Sequence, residues 1–445
     1  MVLIIALLLA AAEVDGGVPD DAQLQKELEQ AIQSDQAAGA KSKPSVQAAS
    51  VPDTTAAPPL PARGTQSLNP DISAIVDADF GYQRRAPSLL NGDDPDLHAD
   101  PGRHAVGPAV QEVELAFSAI VDPYFKGEVY LTIPNLSGLE VEEAFATTTS
   151  LPWNLQAKAG SFRSAFGRQN GQHLHVQDFT RRPLVNAAFL GPDGLRGAAT
   201  QVSWLSPLPF FLTLYGEVLG IHADAPPALP DQGPADPVGT FGAEASRHPT
   251  LAAEAKAFFP LGEEWSLYSG LNFASGKSPG LVTSTICAAA INCPTTSAGA
   301  GRNTTLYGAD LYLKWKPANV SGGYTSLAFQ AEAIFRHFDA GDSLDSEWDG
   351  GLYAQVVAQV ARRWFLGARY DLIGVPTSSV LGRTQRGAVS LTFQASEFAR
   401  LRGYLEVEQA SDTSGSLLPK IAQATAPAAF LQLEISIGAH GAHAF

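Results

Sequence analysis

The sequence predicts an all-β protein: a closed antiparallel transmembrane barrel of about sixteen strands, preceded by a short N-terminal helix and a disordered linker. Three observations predict it. Apolar and polar residues alternate through about sixteen segments of roughly 9–11 residues, the length a tilted strand needs to cross a bilayer. The connections between these segments alternate between short and long. Aromatic residues gather near the segment ends.

Composition agrees with this reading. The 445 residues are 45% apolar and 17% charged, against roughly 25% charged in an average soluble domain. No stretch approaches the roughly 20 apolar residues of a membrane helix. The formal net charge of −16 argues against nucleic acid as a partner, because phosphate binding needs clustered Lys and Arg.

Residues 1–12 form a signal-like segment, with an apolar core at Val2–Leu9 and then Ala10-Ala11-Ala12, a small-residue pattern suited to cleavage. No Lys or Arg precedes the core, so the export signal is incomplete as written. Residues 13–70 read as a periplasmic tether. Leu24, Leu28 and Ile32 lie four apart behind Asp20 or Asp21 as N-cap, which fits a short coiled-coil segment or a marginal helix. An Ala-, Pro-, Ser- and Thr-rich stretch follows, without the periodicity to build a core.

The barrel is expected over 71–445. In the first strand Ile72, Ala74, Val76, Ala78, Phe80 and Tyr82 share a face opposite Asp71, Ser73, Asp77 and Asp79, with Ile75 the one exception. Val113, Leu115 and Phe117 alternate with Glu112, Glu114 and Ser118, and Val129, Leu131 and Ile133 continue the rhythm. Glu143 shares a parity with Val141 and Phe145, a misfit that a bulge would correct. Later segments include Leu311, Leu313 and Trp315 against Asp310, Tyr312 and Lys314, and Leu327 to Phe335 against Gln330, Glu332 and Arg336. Leu352–Val360, Trp364–Leu372, Val389–Ala395 and Leu401–Val407 follow. The last segment alternates Leu431, Leu433, Ile435 and Ile437 with polar residues, and is expected to pair with the first strand and remove the sheet edges.

A soluble sandwich also alternates. Against it stand charges on the polar faces, aromatic girdles (Phe80, Tyr82, Phe210, Phe211, Phe258, Phe259, Trp315, Trp364) and the loop pattern. Links such as 206–209 and 260–264 are short, while 83–110, 163–196, 221–250, 275–303, 337–349 and 409–428 are long. Short turns face the periplasm in outer-membrane barrels, so an even strand count places both termini there.

Residues 163–196, which join the fifth and sixth strands by count, hold the densest set of candidates: Arg163, Arg168, Asp178, Arg181, Arg182, His173 and His175. Arg363, Arg369 and Arg402 on late strands and acids such as Glu112 and Glu114 on early ones are expected to face the lumen. Opposed clusters there would set a transverse field for polar solutes; alternatively they pair with one another. His173 and His175, with Asp178, could ligate a metal such as zinc, or belong to a hydrogen-bonded loop. Cys287 and Cys293 suit a small disulfide staple in an exported chain. His440 and His443 near the end are a weaker metal candidate. No HExxH or phosphate-binding loop occurs, and catalysis is not expected.

The stretch from Leu139 to Gly191, with Gly160–Phe162, His173–His175, Asp178-Phe179, Pro183–Val185 and Phe189–Gly191, resembles a bacterial outer-membrane family labelled porins or zinc-regulated TonB-dependent receptors. "AGSFRSAFGRQN" is similar to a segment of phosphate-selective porins. The placement of the 163–196 link resembles the porin loop that folds inward and narrows the pore. The terminal Phe445 resembles the aromatic by which barrels are delivered to their assembly machinery. The resemblance implies an outer-membrane channel for small polar solutes or ions, in contact with lipid and without a cofactor. The alternatives are a receptor for a metal such as zinc, and a structural barrel tethered to the cell wall. A homo-oligomer is compatible with either.

Overall fold

The computed structural model describes residues 70–438 apart from 84–105, 135, 137, 192–193, 222–240, 242–247, 279–301, 320–324, 342–343, 379–380 and 413–423. The expectations for residues 1–69, Cys287, Cys293, His440, His443 and Phe445 fall outside the described residues.

Sixteen strands form one closed antiparallel sheet. They are β1 (Asp71–Gln83), β2 (Val106–Ile120), β3 (Phe125–Pro134), β4 (Glu140–Thr148), β5 (Leu155–Arg163), β6 (Arg196–Leu205), β7 (Phe211–Gly220) and β8 (Thr250–Leu261). Then follow β9 (Trp265–Ser278), β10 (Arg302–Trp315), β11 (Ser326–Gly341), β12 (Leu344–Ala361), β13 (Trp364–Ile373), β14 (Arg383–Ser396), β15 (Ala399–Asp412) and β16 (Ala424–Gly438). Each pairs with its neighbours in sequence, and β16 closes onto β1 from Ser73↔Gly438 to Gln83↔Ala428. Closure leaves no strand of the sheet with an open edge, which a bilayer requires.

The outward row is the apolar one. Val218, Leu271, Leu366, Leu405 and Ile437 are all exposed in the isolated barrel, the reverse of a sandwich. Aromatic pairs mark the rims. Phe211 meets Phe258, Trp265 meets Trp315 and Trp364 meets Phe393 at the short-turn rim; Tyr307 meets Phe273 edge-on and stacks on Trp348 near the other. The turns are built locally: Asp122 Oδ1 accepts from the amides of Tyr124 and Phe125 at 2.7 and 2.9 Å, closing the β2–β3 link. β1 begins and β16 ends at this short-turn rim, as an even strand count demands.

Among the register shifts of the described strands, two reshape the lumen wall. One lies at β1–β2, where Asp77 pairs with Glu112 but Ala78 pairs with Val110, so that Gln111 also turns inward. The other lies at β3–β4, where Tyr130 pairs with Glu143 and Leu131 with Val141. It buries Glu142 and Glu143 side by side in the lumen and removes the misfit noted from parity.

The 337–349 link is not a long loop. Strands β11 and β12 extend through it and pair from Phe338↔Glu347 to Gly341↔Leu344. Within it Phe338 turns inward to the core while Trp348 is exposed on the outer face. The β3–β4 link, 135–139, is short although it lies on the long-link side.

The interior is a packed core. Phe162, Phe166, Leu184, Val185, Phe189 and Leu195 pack against inward Leu219, Leu306, Ile334, Tyr353 and Ile373. Each fully buried Leu, Ile or Phe contributes roughly 1.5–3 kcal/mol, which is the reason the 164–195 segment lies inside the barrel.

Candidate functional site: the segment inside the barrel

Residues 164–195 enter the lumen from β5 and return to β6. Asn170 ties the two ends: its Nδ2 donates to the carbonyls of Ser164 (2.9 Å) and Leu195 (3.0 Å), and its Oδ1 accepts from the Leu195 amide at 2.7 Å. Gly167 adopts φ +70°, a left-handed turn that favours glycine, with Glu332 directly behind it. Gly308 on β10 leaves room for the Phe166 ring, which would lie 2.8 Å from an added Cβ. A short helix, Leu184–Leu190, buries most of its side chains against β11, β12 and β13.

Polar wall residues then hold the segment almost all the way round. On β7, Glu217 accepts from Ser164 Oγ and from the Ala165 amide. Asn272 (β9) accepts from the Gly167 amide at 2.9 Å, and Lys256 (β8) donates to its carbonyl at 2.5 Å. One carboxylate, Glu332 (β11), takes three donors: the amides of Arg168 (2.7 Å) and Gln169 (2.5 Å), and Asn186 Nδ2 (2.9 Å). Asp371 (β13) accepts from the Leu184 amide at 3.1 Å. Arg369, Arg386 and Arg402 donate to the carbonyls of Arg181, Arg182 and Gln177 at 2.8, 3.2 and 2.8 Å. Arg181 pairs with Glu406 on β15. These charges are buried, and burying a charge is costly unless it is paired and hydrogen-bonded; here nearly all are.

The opposite wall is acidic. Glu112 and Glu114 from β2 and Glu142 from β4 bring their carboxylates within 4.8 Å of one another, and Glu143 adjoins them. Arg163 pairs with Glu142. His173 enters this cluster from the segment. Its Nδ1 lies 2.9 Å from Glu114 Oε2 and 3.2 Å from Glu142 Oε2, and its Nε2 lies 2.8 Å from Glu143 Oε2. Burial disfavours a charged His173, but Glu142 and Glu114 outweigh it and hold the imidazolium well above the usual histidine range. His175 Nδ1 lies 3.4 Å from Glu114 Oε2. The ring of Tyr130 packs 5.0 Å from that of His173.

The expected site residues separate accordingly. Arg163, Arg181, Arg369 and Arg402 face the lumen, but each is matched by an acid, an amide or a backbone carbonyl. Late-strand acids Asp371, Glu406 and Glu408 neutralise the arginines beside them, with Arg386 reaching Glu408 at 2.7 Å. The field between the walls is therefore weaker on the basic side than opposed clusters would give. Arg182 is buried among these groups. Arg363 is a correction: it lies exposed in the β12–β13 turn, where its carbonyl accepts from the Gln394 amide, because β13 starts one residue later, at Trp364. Asp178 is a second. It does not join His173 and His175; the chain turns at Leu174–Val176, and Asp178 stands exposed with its Oδ2 3.2 Å from Gln355 Nε2 on β12. Glu142 and Glu143 take its place beside the histidines. Arg168 is half-buried, its guanidinium 3.9 Å over the Tyr312 ring and 5.7 Å from that of Tyr268. Sequence parity missed the clamp residues Glu332, Asp371, Glu217 and Asn272 as anchors, since each reads as an ordinary lumen-facing polar residue.

Fold and interior define a class: a sixteen-stranded outer-membrane-type barrel with an inward-folded segment between β5 and β6. The chain is 33% identical over 414 residues to an uncharacterized protein of Aquifex aeolicus (strain VF5), covering 84% of this chain and 80% of that one, and it belongs to the same family. No protein-family model matches it. Among solved structures it is similar to the outer membrane channel DcaP of Acinetobacter baumannii (TM-score 0.51, 13% identity, 84% of this chain and 99% of that chain). It is also similar to a loop L8 deletion mutant of OmpT, an outer membrane protein of Vibrio cholerae (TM-score 0.50, 9% identity, 83% and 99%). At these identities the likeness is one of fold.

Proposed function

We propose that the protein is a porin-like channel of the bacterial outer membrane, passing small polar solutes or ions down their gradients, with residues 164–195 as its constriction. The observation that carries this is the exposure of Asp178. Its carboxylate reaches Gln355, which is well inside β12, yet it remains open to solvent. Solvent therefore reaches the inner face of β12 beside the segment. Arg168, held by Tyr312 on β10, supplies a half-exposed positive charge. A passage lined by fixed charges of both signs selects by size and charge, without covalent chemistry.

Sixteen strands suit a porin-sized barrel better than the 22 strands of plugged transporters, so a channel is favoured over an energised receptor. In this reading the short turns and both termini are periplasmic, residues 1–12 act in export, and the outer face meets lipid. The final strand engages the assembly machinery, and residues 13–70 lie on the cell-wall side. Planar-bilayer recording tests it. Steady ohmic steps are expected, with a reversal potential that depends on Arg168 and Asp178; a purified, folded barrel that inserts without conducting overturns it.

A further inference from the structure

We infer that Glu114, Glu142, His173 and His175 form a binding site for one divalent transition-metal ion such as zinc, which fastens the inward segment to β2 and β4. This goes beyond the channel reading and stands or falls separately from it.

The geometry is that of a ligand set. A tetrahedral ion with bonds of about 2.0–2.1 Å spaces its ligand atoms about 3.3 Å apart. Nδ1 of His173 lies 2.9 Å from Glu114 Oε2 and 3.2 Å from Glu142 Oε2, and Nδ1 of His175 lies 3.4 Å from the same Glu114 oxygen. Two imidazole nitrogens and a Glu114 oxygen thus converge, with Glu142 Oε2 beside His173 as the fourth ligand of the set. The outer partner is in place as well. With Nδ1 on the ion, His173 Nε2 donates its proton to Glu143, 2.8 Å away. A carboxylate behind a ligating histidine fixes the ring and strengthens it as a ligand.

Charge points the same way. Three buried carboxylates (Glu114, Glu142 and Glu143) meet beside the half-buried Glu112, with Arg163 paired to one of them. A divalent cation offsets this excess where a second protonated histidine would add only one charge. Mixed nitrogen and oxygen donors favour zinc, nickel or copper over magnesium and calcium, which prefer oxygen alone. Glu112, two residues before Glu114 on the same face, is only half-buried and extends the acidic surface toward solvent. That supplies a way in.

The test uses the full-length barrel, stripped with chelator and titrated with zinc alone, with metal content measured after dialysis. One zinc per chain is expected. His173→Ala and His175→Ala should each abolish the retained zinc, and Glu143→Gln should weaken it by roughly 10–100-fold. His337→Ala, at the distant β11–β12 hairpin where His337 stacks on Trp348, should change nothing. Zinc should also slow amide exchange across 164–182, and magnesium should not. Circular dichroism of each variant establishes that the sheet is intact. An intact wild-type barrel that retains no zinc overturns the inference. So does stoichiometric zinc that survives the His173→Ala/His175→Ala double variant. Either result leaves a cluster that merely holds a protonated imidazole.

Discussion

Replacing Glu332 with alanine removes the acceptor of three donors at once: the amides of Arg168 and Gln169, and the Asn186 side chain. A buried donor left without a partner costs about 1–3 kcal/mol. Water entering the vacated space will satisfy some of them, so the low end applies, about 3 kcal/mol for the set. At 1.4 kcal/mol per tenfold, the population of loosened segment should rise by about 100-fold. Amide exchange reads this directly, because the Arg168 and Gln169 protons are the ones released; both should exchange about 100-fold faster than in the wild type. Glu332→Gln keeps one acceptor oxygen and should fall between the two. In a bilayer, Glu332→Ala should give larger and noisier conductance steps. If exchange at both amides stays within about threefold of the wild type while the sheet remains intact, the carboxylate is not what holds the segment.

Other outcomes follow from the same contacts. Phe179→Ala removes a ring packed edge-on against Tyr404 and beneath Arg369; it should destabilise the docked segment by about 3–5 kcal/mol, measured by exchange across 176–186. Gly308→Val pushes into the Phe166 ring and should cost about 1–3 kcal/mol, seen as a lower unfolding midpoint in denaturant. Gly387→Val, whose added Cβ meets nothing within 4 Å, should stay within about 0.5 kcal/mol of wild type in the same titration. Asp178→Lys should shift the reversal potential toward anions and Arg168→Glu toward cations, with little change in stability for Asp178→Lys because that side chain is exposed.

Strand parity carried most of the wall. The rows Ile72–Tyr82, Val113–Phe117 and Leu431–Ile437 lie outward as their spacing predicts, and Ile75, the exception, points inward and is buried. The misplaced Glu143 announced its own bulge. Two errors have local causes: β11 and β12 go on pairing through 337–349, where a long link is expected from sequence, and Arg363 sits one position outside a strand that starts at Trp364.

The sequence by itself determined the barrel, because a period-two pattern is a property of neighbouring residues and needs no distant partner to be read. It also singled out 163–196 by its density of charge. Only the tertiary structure decided what that segment does. Arg168 meets Glu332 across 164 positions of chain, and Arg181 meets Glu406 across 225. No local pattern encodes such pairs, since closing the barrel is what brings the two side chains to one point. The same closure set Glu114 and Glu142 around His173 and His175, and left Asp178 to the water.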